Sequence, residues 1–142
     1  MKQFTIYVSF VYVLCGNPGA AQPPKNIFGL YAPAGKSPPR PGRDSIRVTS
    51  HAQGKVNLAV KLYYANGHTC QLDKEGEWKE DHLLVVADGL NPKEACQLEA
   101  RFTEGRIRLS DEGQRCAEVY CGTRGKLDGV VLNRVVSTRN RR

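Results

Sequence analysis

The side chains best suited to chemistry lie in one charged segment, residues 73–81, whose sequence is DKEGEWKED. This segment holds five acidic residues, two lysines and the only tryptophan of the chain. Two of its carboxylates could cleave a glycosidic bond if an enclosed cleft raised the pKa of one of them. We interpret the segment as a polar loop without such a cleft, and we therefore expect a protein that is not an enzyme.

The same segment is well suited to binding another molecule. An exposed tryptophan surrounded by carboxylates is typical of an interface with a basic partner. The alternative is that Trp78 closes one end of the fold while the acidic side chains are simply solvated. The residues predicted to contact a partner here are Glu75, Glu77, Trp78, Glu80 and Asp81.

A second distinctive segment, residues 116–129, combines two cysteines with three glycines. The glycines permit tight backbone turns that other residues resist. We interpret the segment as a turn, pinned by a disulfide, that leads into the last strand. Tyr120, Arg124 and Lys126 form a polar ridge in it and are further candidates for partner contact.

Sequence motifs for other kinds of chemistry are absent. The chain contains no nucleophile elbow, zinc-protease helix, phosphate loop or dinucleotide fingerprint. Its histidines, His51, His68 and His82, stand singly, which is typical of structural or surface residues. His68 and Cys70 could contribute to a metal site, but no Cys-x-x-Cys pair accompanies them. We expect no metal and no cofactor.

Composition divides the 142 residues into parts with different roles. The start of the chain is typical of a secretory signal peptide, with a lysine, an apolar run and small residues before a cleavage site after Ala21. The apolar run is shorter than the roughly 20 residues that span a bilayer. A membrane anchor and lipidation of Cys15 are the alternatives. The predicted parts are a signal peptide (1–21), a proline-rich linker (22–43), a β-barrel domain (44–132) and a basic disordered tail (133–142).

The net charge of +7 comes from the two ends of the chain. Residues 44–132 contain 12 basic and 14 acidic residues, so the predicted domain has a net charge of −2. A basic chain favours nucleic acid as a partner, but here the folded part is mildly acidic. We therefore expect no nucleic-acid partner, and we expect a tail that is solvated or touches anionic polymers.

Apolar and polar residues alternate throughout the predicted domain, as they do in half-buried β-strands. Val56, Leu58, Val60 and Leu62 show this period most clearly. The pattern predicts an all-β fold, a small antiparallel β-barrel or sandwich of seven to eight strands. The last two strands are expected around Val119 and Cys121 and over residues 127–132.

Two hairpins can be predicted down to their register. A three-residue loop ending at Gly67 pairs Leu62 with Cys70 and keeps both side chains inward. In the second hairpin, a two-residue loop places Phe102 directly opposite Ile107. Both registers agree with the alternation of apolar residues, which supports the all-β interpretation.

Cleavage of the signal peptide leaves four cysteines, and an even number in an exported chain indicates disulfide bonds. Four cysteines allow three pairings. We favour Cys70–Cys96, because both lie at inward strand positions, together with a local Cys116–Cys121 bridge. Closing the larger loop contributes about 3–4 kcal/mol in the chain-entropy model.

Two resemblances go with these motifs. Residues 120–125 (YCGTRG), 67–70 (GHTC) and 127–129 (LDG) resemble the pattern of small, mostly uncharacterised exported bacterial proteins. In size, signal peptide and predicted barrel, the chain is also similar to periplasmic lysozyme inhibitors, which insert a loop into the active cleft of a muramidase. The chain lacks the Ser-Gly-x-x-Tyr insertion motif of some of these inhibitors, so no inhibitory residue is transferred to it.

These observations predict an exported protein, periplasmic or extracellular, that binds a macromolecule of the bacterial envelope without catalysing a reaction. The similarity to lysozyme inhibitors implies a basic lysozyme-like hydrolase as the partner. A structural or scaffold role for the proline-rich arm and the basic tail is the first alternative. A carbohydrate-processing enzyme is the second.

Overall fold

The computed structural model of the protein is a closed barrel of eight antiparallel strands that follow one another in chain order. It describes residues 21–35, 42–65, 67–89, 91, 95–122 and 124–136. The all-β prediction is confirmed, and the barrel alternative is the one adopted. The elements are β1 (Gly29–Ala32), β2 (Ser45–Ser50), β3 (Val56–Tyr63), β4 (Thr69–Lys79), β5 (His82–Ala87), β6 (Cys96–Thr103), β7 (Arg106–Ser110), α1 (Arg115–Tyr120) and β8 (Val131–Arg134).

The barrel core is filled by the inward residues of the alternating pattern. In β3, every second side chain is buried, and the residues between them are exposed or half-buried. The same alternation occurs in β2, β5, β6 and β7. The largest fully buried side chains include Ile46, Leu58, Leu72, Leu83, Leu98, Ile107, Leu109 and Leu127. Burial of this apolar surface is the main driving force for closing the sheet.

Both predicted hairpin registers are confirmed. Leu62 is paired with Cys70 in the β3–β4 hairpin, and Gly67 has the positive φ, +82°, expected at its left-handed position. Phe102 lies opposite Ile107 in the β6–β7 hairpin. Strand pairing transmits the inward pattern from one strand to the next because a shift of one residue would turn every side chain to the other face.

The barrel begins earlier than predicted, because β1 lies within the segment interpreted as a proline-rich linker. β1 pairs with β2 on one side and with β8 on the other, so it closes the barrel. Its Tyr31 is 1 % exposed, and the Tyr31 hydroxyl donates a hydrogen bond of 2.7 Å to the carbonyl oxygen of Ile27. Burial raises the pKa of this hydroxyl. The linker prediction is therefore wrong for residues 29–32. This strand is only four residues long, which is too short for the alternation of apolar residues to show it.

The predicted C-terminal boundary is also displaced. β8 continues to Arg134, and the backbone N–H of Val135 donates to the carbonyl oxygen of Leu30. The basic tail therefore begins two to three residues later than predicted. The predicted signal peptide up to residue 20, the proline cluster at 36–41 and the end of the tail at 137–142 lie outside the described residues.

The segment expected to hold a strand near Val119 and Cys121 is instead the helix α1. The carboxylate of Asp111 accepts hydrogen bonds from the backbone N–H groups of Cys116 (3.0 Å) and Ala117 (2.7 Å). Asp111 is itself only 1 % exposed. Satisfying otherwise unpaired N–H groups in this way stabilises a helix start. The last strand is likewise shorter than predicted and begins at Val131.

All four cysteines among the described residues form disulfides, but the predicted pairing is wrong. The bridges are Cys70–Cys121 and Cys96–Cys116, with Cα–Cα distances of 4.0 and 5.1 Å. A Cys70–Cys96 bridge would have to cross β5, which lies between β4 and β6, over about 9.5 Å. A disulfide spans at most about 7 Å between Cα atoms. Helix α1 separates Cys116 from Cys121, so Cys116 is bonded to β6 and Cys121 to β4.

The two bridges close loops of different length, so their removal is expected to have different effects. The paired residues are 51 positions apart for Cys70–Cys121 and 20 positions apart for Cys96–Cys116. The chain-entropy model predicts that the C70A/C121A variant loses about 4 kcal/mol of unfolding free energy and the C96A/C116A variant about 3 kcal/mol. Denaturant titration of both double variants measures these losses.

Peptide mapping without reduction provides the control for this prediction. The expected cross-linked peptides contain Cys70 with Cys121 and Cys96 with Cys116. If the C96A/C116A variant lost more unfolding free energy than the C70A/C121A variant, the result would contradict the entropic explanation.

Candidate functional site

The two groups of predicted contact residues lie at opposite ends of the barrel. Residues 73–79 are the second half of β4 and not a loop, which corrects the sequence interpretation. Cys70, near the start of β4, is bonded to the end of α1, whereas Trp78 lies near the other end of this strand. Eight residues of extended strand span about 26 Å. The structure therefore does not bring the acidic group and the group around Tyr120 into one surface.

Gly76 allows the backbone of β4 to lie close to the backbone of β5. At this residue the partner of β4 changes, because the β3 pairing ends at Gly76 and the β5 pairing begins at Glu77. A Cβ atom on Gly76 would lie 2.7 Å from the carbonyl oxygen of Leu84. Only glycine accommodates this close approach of backbone to backbone.

Glu75 and Glu77 are on the outer face of β4, and both are already paired with cations. Glu75 lies 2.7 Å from the Nδ1 atom of His51 and 3.5 Å from the Nζ atom of Lys55. Glu77 accepts a hydrogen bond of 2.6 Å from Lys79, which lowers the pKa of Glu77. Both carboxylates are exposed, and surface pairs of this kind contribute little to stability.

Trp78 points inward and covers one end of the barrel. Its ring packs on Phe102 at a centroid distance of 5.9 Å, and Phe102 in turn lies 6.0 Å from the ring of Tyr31. The indole Nε1 donates a hydrogen bond of 3.1 Å to the carbonyl oxygen of Glu80. The alternative weighed for Trp78, closure of the barrel end, is therefore what the structure shows, although the ring remains only half-buried.

A cavity of about 320 Å³ opens beside these rings at the same end of the barrel. We call it the aromatic mouth. It lies between the β4–β5 turn, the β6–β7 turn and the short helical turn at Lys25–Ile27. Its lining includes the aromatic residues Tyr31, Trp78 and Phe102 and the charged residues Glu80, Asp81, Glu104 and Arg106.

The charged residues of the aromatic mouth differ in their pairing. Asp81 lies 3.0 Å from the Nδ1 atom of His82 and accepts a hydrogen bond of 2.8 Å from Arg101. The hydrogen bond with His82 is the main cause that lowers the pKa of Asp81. Glu104 lies 3.3 Å from Arg106. Among the described residues, the carboxylate of Glu80 makes no hydrogen bond or ion pair.

At the other end of the barrel, the segment after α1 is held by interactions that sequence reasoning missed. The hydroxyl of Tyr64 donates to the carbonyl oxygen of Lys126 and accepts from the backbone N–H of Lys126 at 3.1 Å. Of the residues predicted to form a polar ridge, Tyr120 is half-buried, whereas Arg124 and Lys126 are exposed. A tyrosine directly after a strand, 62 residues from its partner, carries no sequence signal for this contact.

The described residues contain no group of three or more His, Cys, Asp or Glu that could hold a metal ion. In the same part of the chain, no helix has the length and apolar character needed to cross a membrane. Comparison with known proteins finds no matching protein-family model, no similar curated protein and no similar solved structure. The site is therefore interpreted from its own geometry.

Gly125 tests how closely the segment after α1 packs on the Cys70–Cys121 bridge. A Cβ atom at this position would lie 2.3 Å from the Cβ atom of Cys121 and 2.9 Å from the Sγ atom of Cys70. Gly125→Ala is expected to lower the free energy of unfolding by about 3 kcal/mol, because the bridge cannot move away. Gly35→Ala is the matched control, since none of the residues that the structure describes lies within 4 Å of its Cβ position.

Thermal or denaturant unfolding of the two glycine variants provides the measurement. The control variant is expected to stay within about 0.5 kcal/mol of the original protein. Equal stability of both variants would show that the segment does not pack on the bridge as described.

Proposed function

We propose that the protein is an exported, non-enzymatic binding protein of the bacterial envelope whose partner is a basic protein, in particular a lysozyme-like hydrolase. The aromatic mouth is the observation that carries this proposal. It combines the half-buried rings of Trp78 and Phe102 with a rim of carboxylates at one end of the closed barrel. Aromatic residues surrounded by charged groups are the usual composition of a binding hot spot.

The disulfides support the exported location. Two bridges tie one short helix to two strands, and all four cysteines of the described residues are used. Disulfides of this kind persist in oxidising compartments outside the cytosol and are rare inside it. The predicted signal peptide leads to the same location.

The charges of the aromatic mouth support a basic partner. Among the described residues that line the mouth, three are acidic and one is basic. Complementary charge increases the rate of association and disfavours partners of the wrong sign. The hydrogen bond with His82 lowers the pKa of Asp81, which favours the ionised form of this part of the rim.

The carboxylates of β4 favour binding over the carbohydrate-processing alternative. A general acid needs a raised pKa, which an enclosed and poorly solvated site provides. Glu75 and Glu77 are exposed and paired with cations, and the pKa of Glu77 is lowered. The environment of Glu77 thus favours its ionised form, the opposite of what a general acid needs.

Inhibition of cell-wall lysis tests the proposal. The purified mature protein is mixed with a basic lysozyme at low salt, and the clearing of a cell-wall suspension is followed. We expect inhibition that weakens as the salt concentration rises, because ions screen the attraction. Unchanged lysis at micromolar protein would overturn the lysozyme version of the proposal.

Charge reversal shows whether the aromatic mouth makes the contact. The E80K/E104K variant is expected to inhibit about tenfold less strongly, corresponding to about 1.4 kcal/mol. The E112K/E118K variant makes the same change in net charge at the α1 end, where both residues are exposed, and serves as the control. Equal inhibition by the two variants would place the contact elsewhere.

A further inference from the structure

We infer that the aromatic mouth receives a single arginine side chain of the partner, stacked on the Trp78 and Phe102 rings and paired with Glu80. This inference rests on the proposed function and specifies the chemistry that the site recognises. Three properties of the mouth carry it: the free carboxylate, the fixed aromatic rings and the size of the cavity.

Glu80 is the acidic residue of the rim that remains available to a partner. Asp81 is already paired with Arg101, and Glu104 with Arg106. In the described part of the chain, the side chain of Glu80 has no such interaction. A cation from another protein therefore meets one unpaired carboxylate in the mouth without having to displace an existing ion pair.

The position of Glu80 is set by the ring beside it. The backbone carbonyl oxygen of Glu80 accepts the hydrogen bond from the Trp78 indole, and Glu80 has a positive φ of +45°. This contact satisfies the only polar hydrogen of the indole. With its N–H occupied, the indole can still interact with a cation through its π system.

The two rings suit a planar cation better than a compact one. Trp78 and Phe102 are 5.9 Å apart and inclined by 39° to each other. A guanidinium group stacks on aromatic faces and forms hydrogen bonds to a carboxylate in its own plane. An ammonium group offers a point charge and no such plane. We therefore assign arginine in preference to lysine.

The size and charge of the cavity agree with one long side chain. Its volume of about 320 Å³ is at the lower end of the range for small-ligand pockets. Arg106 is the only cation among the described residues lining it, against three carboxylates. The mouth therefore keeps a negative excess before a partner arrives.

Trp78 fluorescence gives a direct test, because this is the only tryptophan of the chain. The full mature protein is titrated with the blocked tripeptide Gly-Arg-Gly and, separately, with Gly-citrulline-Gly, which has nearly the same shape but no charge. We expect a saturable fluorescence change with the arginine peptide in the millimolar range, and at least about tenfold weaker binding of the citrulline peptide.

Two variants assign the contact to Glu80. Glu80→Gln removes the charge but keeps the backbone carbonyl that accepts the indole hydrogen bond, and it is expected to weaken arginine-peptide binding about tenfold. Glu112→Gln, an exposed residue at the other end of the barrel, is the matched control and is expected to leave binding unchanged. Equal binding by the two variants would overturn the role of Glu80.

Four outcomes of these experiments would contradict part or all of the inference. Equal affinity for the arginine and citrulline peptides, or no saturable change, would exclude a cation site. Saturation by an N-acetylglucosamine trisaccharide instead of the arginine peptide would identify the mouth as a carbohydrate site. Arginine-peptide binding without lysozyme inhibition would retain the pocket and reject the proposed partner. Lysozyme inhibition that Glu80→Gln leaves unchanged would reject the pocket alone.

Discussion

The rest of the structure depends on the covalent attachment of one six-residue helix to two strands of the barrel. Cys116 and Cys121 lie at the two ends of α1, about 7.5 Å apart along its axis, and bind β6 and β4 respectively. Such a short helix is not stable by itself. It is ordered by the two bridges and by Asp111, whose buried carboxylate satisfies two N–H groups at its start.

This attachment lies at one end of the barrel, and the aromatic mouth lies at the other. The helix covers the end at which β4 and β6 begin. The two ends of the barrel are therefore closed by different kinds of interaction. One is closed by disulfides and backbone contacts, the other by three aromatic rings with charged neighbours. A rim on a closed, disulfide-bonded barrel is preorganised, which reduces the entropy cost of the proposed binding.

Features encoded by neighbouring residues could be predicted well, and those encoded by distant residues could not. Leu62 opposite Cys70 and Phe102 opposite Ile107 follow from the alternation of apolar residues and from loop length. The disulfide pairing depended on whether residues 115–120 form a helix, and six residues carry too little period to show it. The acidic segment that contributes to the candidate site could be recognised from the sequence, but its division between the outer face of β4 and the aromatic mouth could not.

The sequence by itself determined the all-β class, the inward faces of most strands and the presence of two disulfides. Period 2 and turn residues are local properties, and the number of cysteines is a property of the composition. Tertiary structure alone decided which cysteines meet, that Gly29–Ala32 closes the barrel, and that Trp78 joins Phe102 and Tyr31 at one end. These outcomes depend on the order of strands around the barrel and on the path of α1 across its end. Both bring together residues that lie tens of positions apart, and the periodicity of the sequence does not predict such contacts.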